Sequence, residues 1–213
     1  MKLNNKSLLL YAVTDRRWSD NDTFYKHIEE SLEGGVTFLQ LREKNLDTDS
    51  FFKEAIKIKE LCKKYNVPFI INDNVEIALK SNADGIHVGQ DDMGVKEVRK
   101  LIGKDKILGV SVQTVEQALL AQSQGANYLG VGSIFTTTSK DDAKSVSINT
   151  LKEICNAVNI PVVAIGGIDK DNVKQLSQTG ISGIAVISAI YANKNIKSAT
   201  MKLKELIKEI IKW

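Results

Sequence analysis

Eight short apolar runs, each stopped by turn residues, recur along this chain and leave few folds open to it: "LLLYAVTD", "VTFLQLR", "PFIIND", "DGIHVGQ", "KILGVS", "NYLGVG", "PVVAIGG" and "GIAVIS". Between them lie charged stretches with apolar residues at helical spacing, such as "DSFFKEAIKIKELCKKY" and "DNVKQLSQTG", so strand and helix alternate. That alternation predicts parallel strands joined by crossover helices, because parallel neighbours cannot be joined by a hairpin. Strands two, four, six and eight are entered through "EGGVTFLQL", "SNADGIHVG", "SQGANYLGVG" and "SQTGISGIAVI". The Gly or Asn in each suits a helix C-terminal cap, where a left-handed conformation is needed. Pro68 and Pro161 stand at the starts of strands three and seven, where a missing N–H does least harm.

Eight such units predict a single (β/α)₈ (TIM) barrel spanning residues 1–213, at the compact end of that fold's range. A doubly wound open sheet is the alternative. It is disfavoured because the first strand-to-helix turn, "VTDRRWSDND", carries no dinucleotide glycine fingerprint and no P-loop follows any strand. The final "ATMKLKELIKEIIKW" is amphipathic and serves as the eighth barrel helix without any membrane-surface role.

Charge narrows the function. The chain has 29 basic and 26 acidic side chains, scattered rather than gathered with aromatics, which argues against nucleic-acid binding. No segment approaches membrane-spanning length and the N-terminus has no signal core, so a cytoplasmic protein is expected. Cys62 and Cys155 lack metal-ligand spacing and read as free thiols in a reducing compartment.

In a barrel of this kind the active site is built at the C-terminal ends of the strands, and the polar residues concentrate there. Strand two ends in "QLREK", and period-two alternation puts Gln40 and Arg42 on one face with Leu39 and Leu41 opposite. Ion pairing that merely closes the barrel is the competing reading for Arg42, Glu43 and Lys44. Asp73 and Asp92 follow adjacent strands, where two carboxylates can share a hard cation such as Mg²⁺. Helix capping is the competing role for each. With Arg42, Lys44 and Lys140 nearby, the pair suits a metal-bound polyphosphate. Gly166 and Gly167 after strand seven, with "ISAIYAN" after strand eight, suit the fold's usual phosphate site.

Two phosphate sites of different kinds predict two phosphorylated substrates, or one phosphorylated at both ends. A lysine Schiff base at Lys44 or Lys140 stays open but leaves the aspartates unexplained. His87, inside strand four, is expected to be held by an interior neighbour and His27 to lie on the surface. Neither fits a zinc site, and no GxSxG elbow is present.

Taken in order, "YAVTD", "QLREK", "IIND", "IHVGQDD", "ILGVS", the Thr-rich loop ending at Lys140, "AIGGI" and "VISAI" closely resemble the thiamine phosphate synthase family over nearly the whole chain. The resemblance implies a (β/α)₈ transferase of thiamine biosynthesis that joins an aminopyrimidine methyl diphosphate to a thiazole phosphate. It implies release of pyrophosphate with Mg²⁺ by a dissociative route. It places Asp73 and Asp92 on the metal. It puts the strand-two end, Gln40, Leu41, Arg42, Glu43 and Lys44, with Asn72, Ser111 and Lys140, at the pyrimidine diphosphate, where Arg42, Lys44, Ser111 and Lys140 take the catalytic roles. Thr137, Thr138, Ser139, Gly167, Ile187 and Ser188 match the positions that hold the thiazole phosphate.

The partners implied are these two small molecules, with no nucleic acid and no membrane; a homo-oligomer is compatible with the sequence. Two departures stand out. The loop after strand six reads "GSIFTTTSK" where the family has prolines, so Ser133 and Thr136 predict a less rigid loop. Gln113 stands where the family often has histidine. A related barrel, thiazole tautomerase, resembles a proton-transfer enzyme using a histidine in that region, and Gln113 cannot act as general base. A non-catalytic phosphate-ligand sensor on the same fold is the alternative of another class.

Overall fold

The computed structural model describes residues 3–20, 22–137 and 145–211. The eight predicted runs form the strands β1 (Leu10–Val13), β2 (Phe38–Leu41), β3 (Phe69–Asn72), β4 (Gly85–Val88), β5 (Ile107–Val112), β6 (Tyr128–Val131), β7 (Val162–Ile165) and β8 (Gly183–Val186). Each pairs in parallel with the next, and β8 returns to β1 to close the barrel. The crossovers carry α1 (Phe24–Glu33), α2 (Thr48–Lys64), α3 (Val75–Lys80), α4 (Val95–Ile102), α5 (Val115–Ser123) and α6 (Ile148–Ala157). After β8 come the short α7 (Ser188–Tyr191) and the long α8 (Ile196–Ile210), the latter matching the predicted final helix. No described helix is long and apolar enough to cross a membrane.

Local chemistry explains most helix ends. The side chains of Asp47, Asn74, Thr114, Ser147 and Asn195 accept backbone N–H groups in the first turns of α2, α3, α5, α6 and α8, satisfying donors the helix itself cannot. Left-handed residues follow α1, α3 and α5 at Gly35, Asn82 and Gly125, as the entry motifs predicted. One expectation fails between β7 and β8. There "DNVKQLSQTG" makes only a 3₁₀ turn, Val173–Leu176. The Asp169 side chain accepts the N–H groups of Asp171 and Asn172 just before it, and left-handed Gln178 and Gly180 close it just after. Too few residues remain for an α-helical crossover.

Alternation along the strands separates two cores. Leu10, Ala12, Leu39, Leu41, Ile71, Ile86, Val110, Leu129 and Ala164 pack outward beneath the helices. Tyr11, Val13, Phe38, Ile70, Ile107, Tyr128, Val163 and Ala185 fill the barrel interior. The interior is crowded by two tyrosines and a phenylalanine, with Tyr11 and Phe38 edge to face at 4.8 Å between centroids. Glycines on neighbouring strands make room for them. A Cβ on Gly109 would come within 2.1 Å of the Tyr128 ring. Gly109→Ala is therefore expected to cost about 2 kcal/mol of stability through overpacking. Denaturant unfolding checks it, and an unchanged midpoint would contradict this account of the interior.

Candidate active site

The C-terminal ends of the strands converge on one mouth, and β2 supplies its most charged wall. Gln40 points inward and is buried. Leu41 does not face the mouth: its side chain is fully buried in the helix-facing layer, as alternation requires. Glu43 makes the kind of ion pair that was the competing reading for it. Its carboxylate is turned to Arg16, Nε to Oε1 2.8 Å, with the Glu43 side chain only 4% exposed. Arg16 also pairs with Glu54 at 2.9 Å, and its guanidinium lies 4.1 Å from the Phe24 ring centroid. Glu43 therefore pins the β1 loop to β2.

Arg42 is held differently. Its backbone N–H donates to the Thr14 hydroxyl at 3.0 Å, and its Nη1 lies 3.4 Å from Asp15 Oδ2. Asp15 is engaged more tightly by Arg17, at 2.7 Å. Burial acts to raise the Asp15 pKa, but the hydrogen bonds from Arg17 and the charges of Arg17 and Arg42 outweigh it and hold the carboxyl below its usual value.

Beside this wall, Lys44 Nζ meets Asp73 Oδ2 at 2.6 Å. Asp73 is not the cap of α3; Asn74 is. Asp73 instead adopts a left-handed backbone with φ of 60°, a conformation aspartate tolerates better than most side chains. Its N–H donates to the carbonyl of His87 at 2.9 Å. Burial pushes the Asp73 pKa up; the nearby Asp92 carboxylate adds to that, against the pull of Lys44. Asp92 caps no helix either: its carboxylate accepts the N–H of Gly89 at 2.7 Å. The two aspartates thus sit close, as predicted. Among the described residues no group of three His, Cys, Asp or Glu is arranged for a metal, so an ion here would take one or two carboxylates with its remaining ligands from substrate and water, a pattern that suits Mg²⁺.

Deeper in the mouth, His87 is 9% exposed. Its Nδ1 lies 2.8 Å from the Tyr128 hydroxyl and its Nε2 2.9 Å from Ser111 Oγ, which agrees with the expectation of an interior histidine. Tyr128 and Tyr11 join hydroxyls at 2.9 Å, and Gln40 Nε2 donates to the Tyr11 hydroxyl. Gln90 Nε2 donates to the Ser111 carbonyl at 2.7 Å. Asn72 lies in register with His87. His27 is half-buried rather than on the surface, because its Nδ1 meets Ser19 Oγ at 2.6 Å. The two tyrosines were missed as polar residues. Their signal was a tyrosine inside an apolar strand, whose hydroxyl must find a partner when buried.

Across the mouth, Gly166 and Gly167 have φ of 98° and 63°, closed to most side chains. The loop after β6 lies directly on them. Ile134 and Phe135 donate N–H bonds to the carbonyls of Ile165 and Gly166, and a Cβ on Gly167 would meet Thr136 O at 2.4 Å. Ser133 Oγ donates to the Phe135 carbonyl at 2.7 Å, and Val146 donates to Ser133. These bonds hold the described part of the loop against the β7 end without a proline. Thr137 stands where the described part of the loop ends; Thr138, Ser139 and Lys140 lie outside the described residues. Half-buried Ile187 and Ser188 begin α7. Gln113 is half-buried, its N–H bonded to Gln117 Oε1 at 2.8 Å.

With its folded-state pKa depressed, Asp15 adds stability above the unfolded value of about 4, and this is lost as pH falls through the folded value. Asp15→Asn should lower the melting temperature at neutral pH and flatten its decline between about pH 5 and pH 3. Thermal melts across that range test the arginine clamp, and parallel curves for the two proteins would refute it.

Known proteins share this arrangement over almost all of its length. Residues 10–190 match the family described as thiamine monophosphate synthase. The chain is 54% identical to the thiamine-phosphate synthase of Clostridium tetani, covering 97% of this chain and 100% of that one. It is 51% identical to that of Methanobrevibacter smithii, covering 94% and 96%. Among solved structures, the thiamine phosphate pyrophosphorylase from Pyrococcus furiosus superposes with a TM-score of 0.90 at 38% identity, covering 98% and 99%.

Proposed function

The chain belongs to the thiamine monophosphate synthase family, and from that premise we propose how its mouth carries out the reaction. The protein is a transferase of thiamine biosynthesis that makes thiamine phosphate from aminopyrimidine methyl diphosphate and thiazole phosphate. The relatives support neither the tautomerase nor the sensor reading. The observation that carries the residue map is Asp73, excused from helix capping and turned toward Lys44 beside Asp92.

Asp73 and Asp92 would hold Mg²⁺, and the all-oxygen donor pair with a lysine alongside fits that ion. When bound, the ion supplies positive charge to a diphosphate leaving group. Lys44, with Arg42 and Lys140, offers the same diphosphate its protein cations. Gln40, Asn72 and Ser111 hold the pyrimidine ring from the inner mouth. Departure of pyrophosphate breaks the bond from the methylene carbon to the diphosphate oxygen, leaving a pyrimidinylmethyl cation that the electron-rich ring stabilises. The thiazole nitrogen then gives its lone pair to that carbon, forming the new C–N bond. No protein nucleophile is needed, so catalysis rests on charge placement and alignment.

Gly167, Ile187 and Ser188, with Thr137, Thr138 and Ser139, would hold the thiazole phosphate. Support comes from the left-handed Gly166–Gly167 turn and from α7 starting at Ser188. At the strand-two end, Gln40 serves the ring and Arg42 and Lys44 the diphosphate, while the Leu41 side chain packs the wall and Glu43 anchors it to Arg16. Both cysteines are free thiols, which is compatible with the reducing cytoplasm expected for the chain.

Pyrophosphate release with both substrates, with and without Mg²⁺, tests the assignment, the organic product being identified by mass. Release should require both substrates and the metal. Asp73→Ala should lower Mg²⁺-dependent turnover at least about 100-fold while leaving the fold intact; full activity in the folded variant would contradict the metal assignment. Ser188→Ala should raise the KM for thiazole phosphate about tenfold, with little change for the diphosphate. Equal effects on both would count against two separate pockets.

A further inference from the structure

Two groups assigned to the pyrimidine, Gln40 and Ser111, are joined beneath the mouth by a buried chain through Tyr11, Tyr128 and His87. Such a chain has a direction, because each hydroxyl carries one proton and a neutral imidazole has one donor and one acceptor nitrogen. Gln40 Nε2 can only donate, so the Tyr11 hydroxyl accepts from it and sends its own proton to Tyr128. Tyr128 then donates to Nδ1 of His87. The ring proton must sit on Nε2, which donates to Ser111 Oγ and leaves the serine proton to point elsewhere. Gln40 at the other end is left with Oε1, an acceptor, pointing away from Tyr11, and with the second hydrogen of Nε2. Burial keeps both tyrosines neutral by pushing their pKa values up, and a cationic imidazole would break the order by placing a second donor against Tyr128.

We propose that this chain sets the hydrogen-bonding polarity of the pyrimidine pocket: Tyr11, Tyr128 and His87 act as positioning residues that fix Gln40 as acceptor and Ser111 as donor. The proposal rests on the reading of Gln40 and Ser111 as pyrimidine contacts. An acceptor from Gln40 and a donor from Ser111 are complementary in kind to the amino group and ring nitrogen of an aminopyrimidine. The same ring with an oxo group in place of the amino group presents the reverse order, an acceptor beside a ring N–H; its oxygen meets Gln40 Oε1, acceptor against acceptor, and Ser111 can accept the ring N–H only through its remaining lone pair, with its own proton turned away. A site whose polar groups would be left unpaired by the wrong ligand discriminates far more strongly than an apolar one. The selectivity for an aminopyrimidine would then be written partly by residues that never touch it.

The test needs no ligand in its first arm. The chain has only two histidines, His27 and His87, so nitrogen NMR of labelled protein resolves both rings. Wild-type His87 should be the tautomer protonated at Nε2. Tyr128→Phe, which keeps the ring and removes the hydroxyl, should release His87 into a mixture of tautomers and leave His27 unchanged. Tyr11→Phe, which cuts the chain one step further back, should do so less completely and serves if the first variant folds poorly. In the second arm, kcat/KM is measured for the aminopyrimidine diphosphate and its oxo analogue. Tyr128→Phe should reduce the discrimination between them at least about tenfold, with the KM for thiazole phosphate unmoved.

An unchanged tautomer in both variants, or discrimination preserved while both KM values rise together, would overturn the proposal and leave the chain a packing device. Wild-type protein without turnover would overturn the synthase reading itself, while the tautomer arm would still decide whether the chain is polarised.

Discussion

Everything at the mouth is set by a single demand inside the barrel: two tyrosine hydroxyls and an imidazole buried among apolar side chains must satisfy one another. Tyr11, Tyr128 and His87 lie on three different strands, and their bonds hold together only if β1, β6 and β4 keep their mutual register. An unpaired polar group at that depth costs about 1–3 kcal/mol, so slippage of one strand would be opposed by more than apolar packing. The glycines opposite them complete the fit. Gly109 faces the Tyr128 ring and Gly130 lies under His87, so backbone without side chains is what admits the large polar residues. The interior is therefore a jigsaw of the bulky and the absent, and its polar edge becomes the floor of the active site.

Above that floor, charge is handled on two levels. Glu43, Arg16 and Glu54 tie the β1 loop to β2 and α2, and they are buried enough to be architecture. Asp15 plays the same part toward Arg17 while leaving Arg42 at the longer distance of 3.4 Å. Lys44 and Asp73, by contrast, are half-exposed and face the mouth. The same short segment thus supplies both the scaffold and the working groups, and only the partner of each side chain tells them apart.

This distinction marks where sequence reading reaches and where it stops. The eight strands were legible because apolar runs and turn residues are local signals, and the left-handed cap residues announced three helix ends. Asp73 was legible as a site residue, but its escape from capping became clear only with Asn74 in place beside it. Ion pairing of Glu43 was weighed, but its partner was not legible because Arg16 is 27 residues away, across a strand pairing that no local pattern encodes. The outward turn of the Leu41 side chain was legible from alternation alone. The 3₁₀ turn after β7 was missed because helical spacing says nothing about the Asp169 side-chain bonds that consume its first residues. The tyrosine chain was invisible because each tyrosine, set in an apolar run, looked like one more large apolar residue, and their partners lie on other strands.

Closure of the sheet carries a consequence of its own. With β8 bonded to β1, every strand has a neighbour on both sides, and the barrel offers no row of open backbone donors and acceptors to a visiting strand. Any association of this chain with another has to use helices or loops. The outer surface can thus carry such an association while the hydrogen-bonded ring and the rim above it stay as they are.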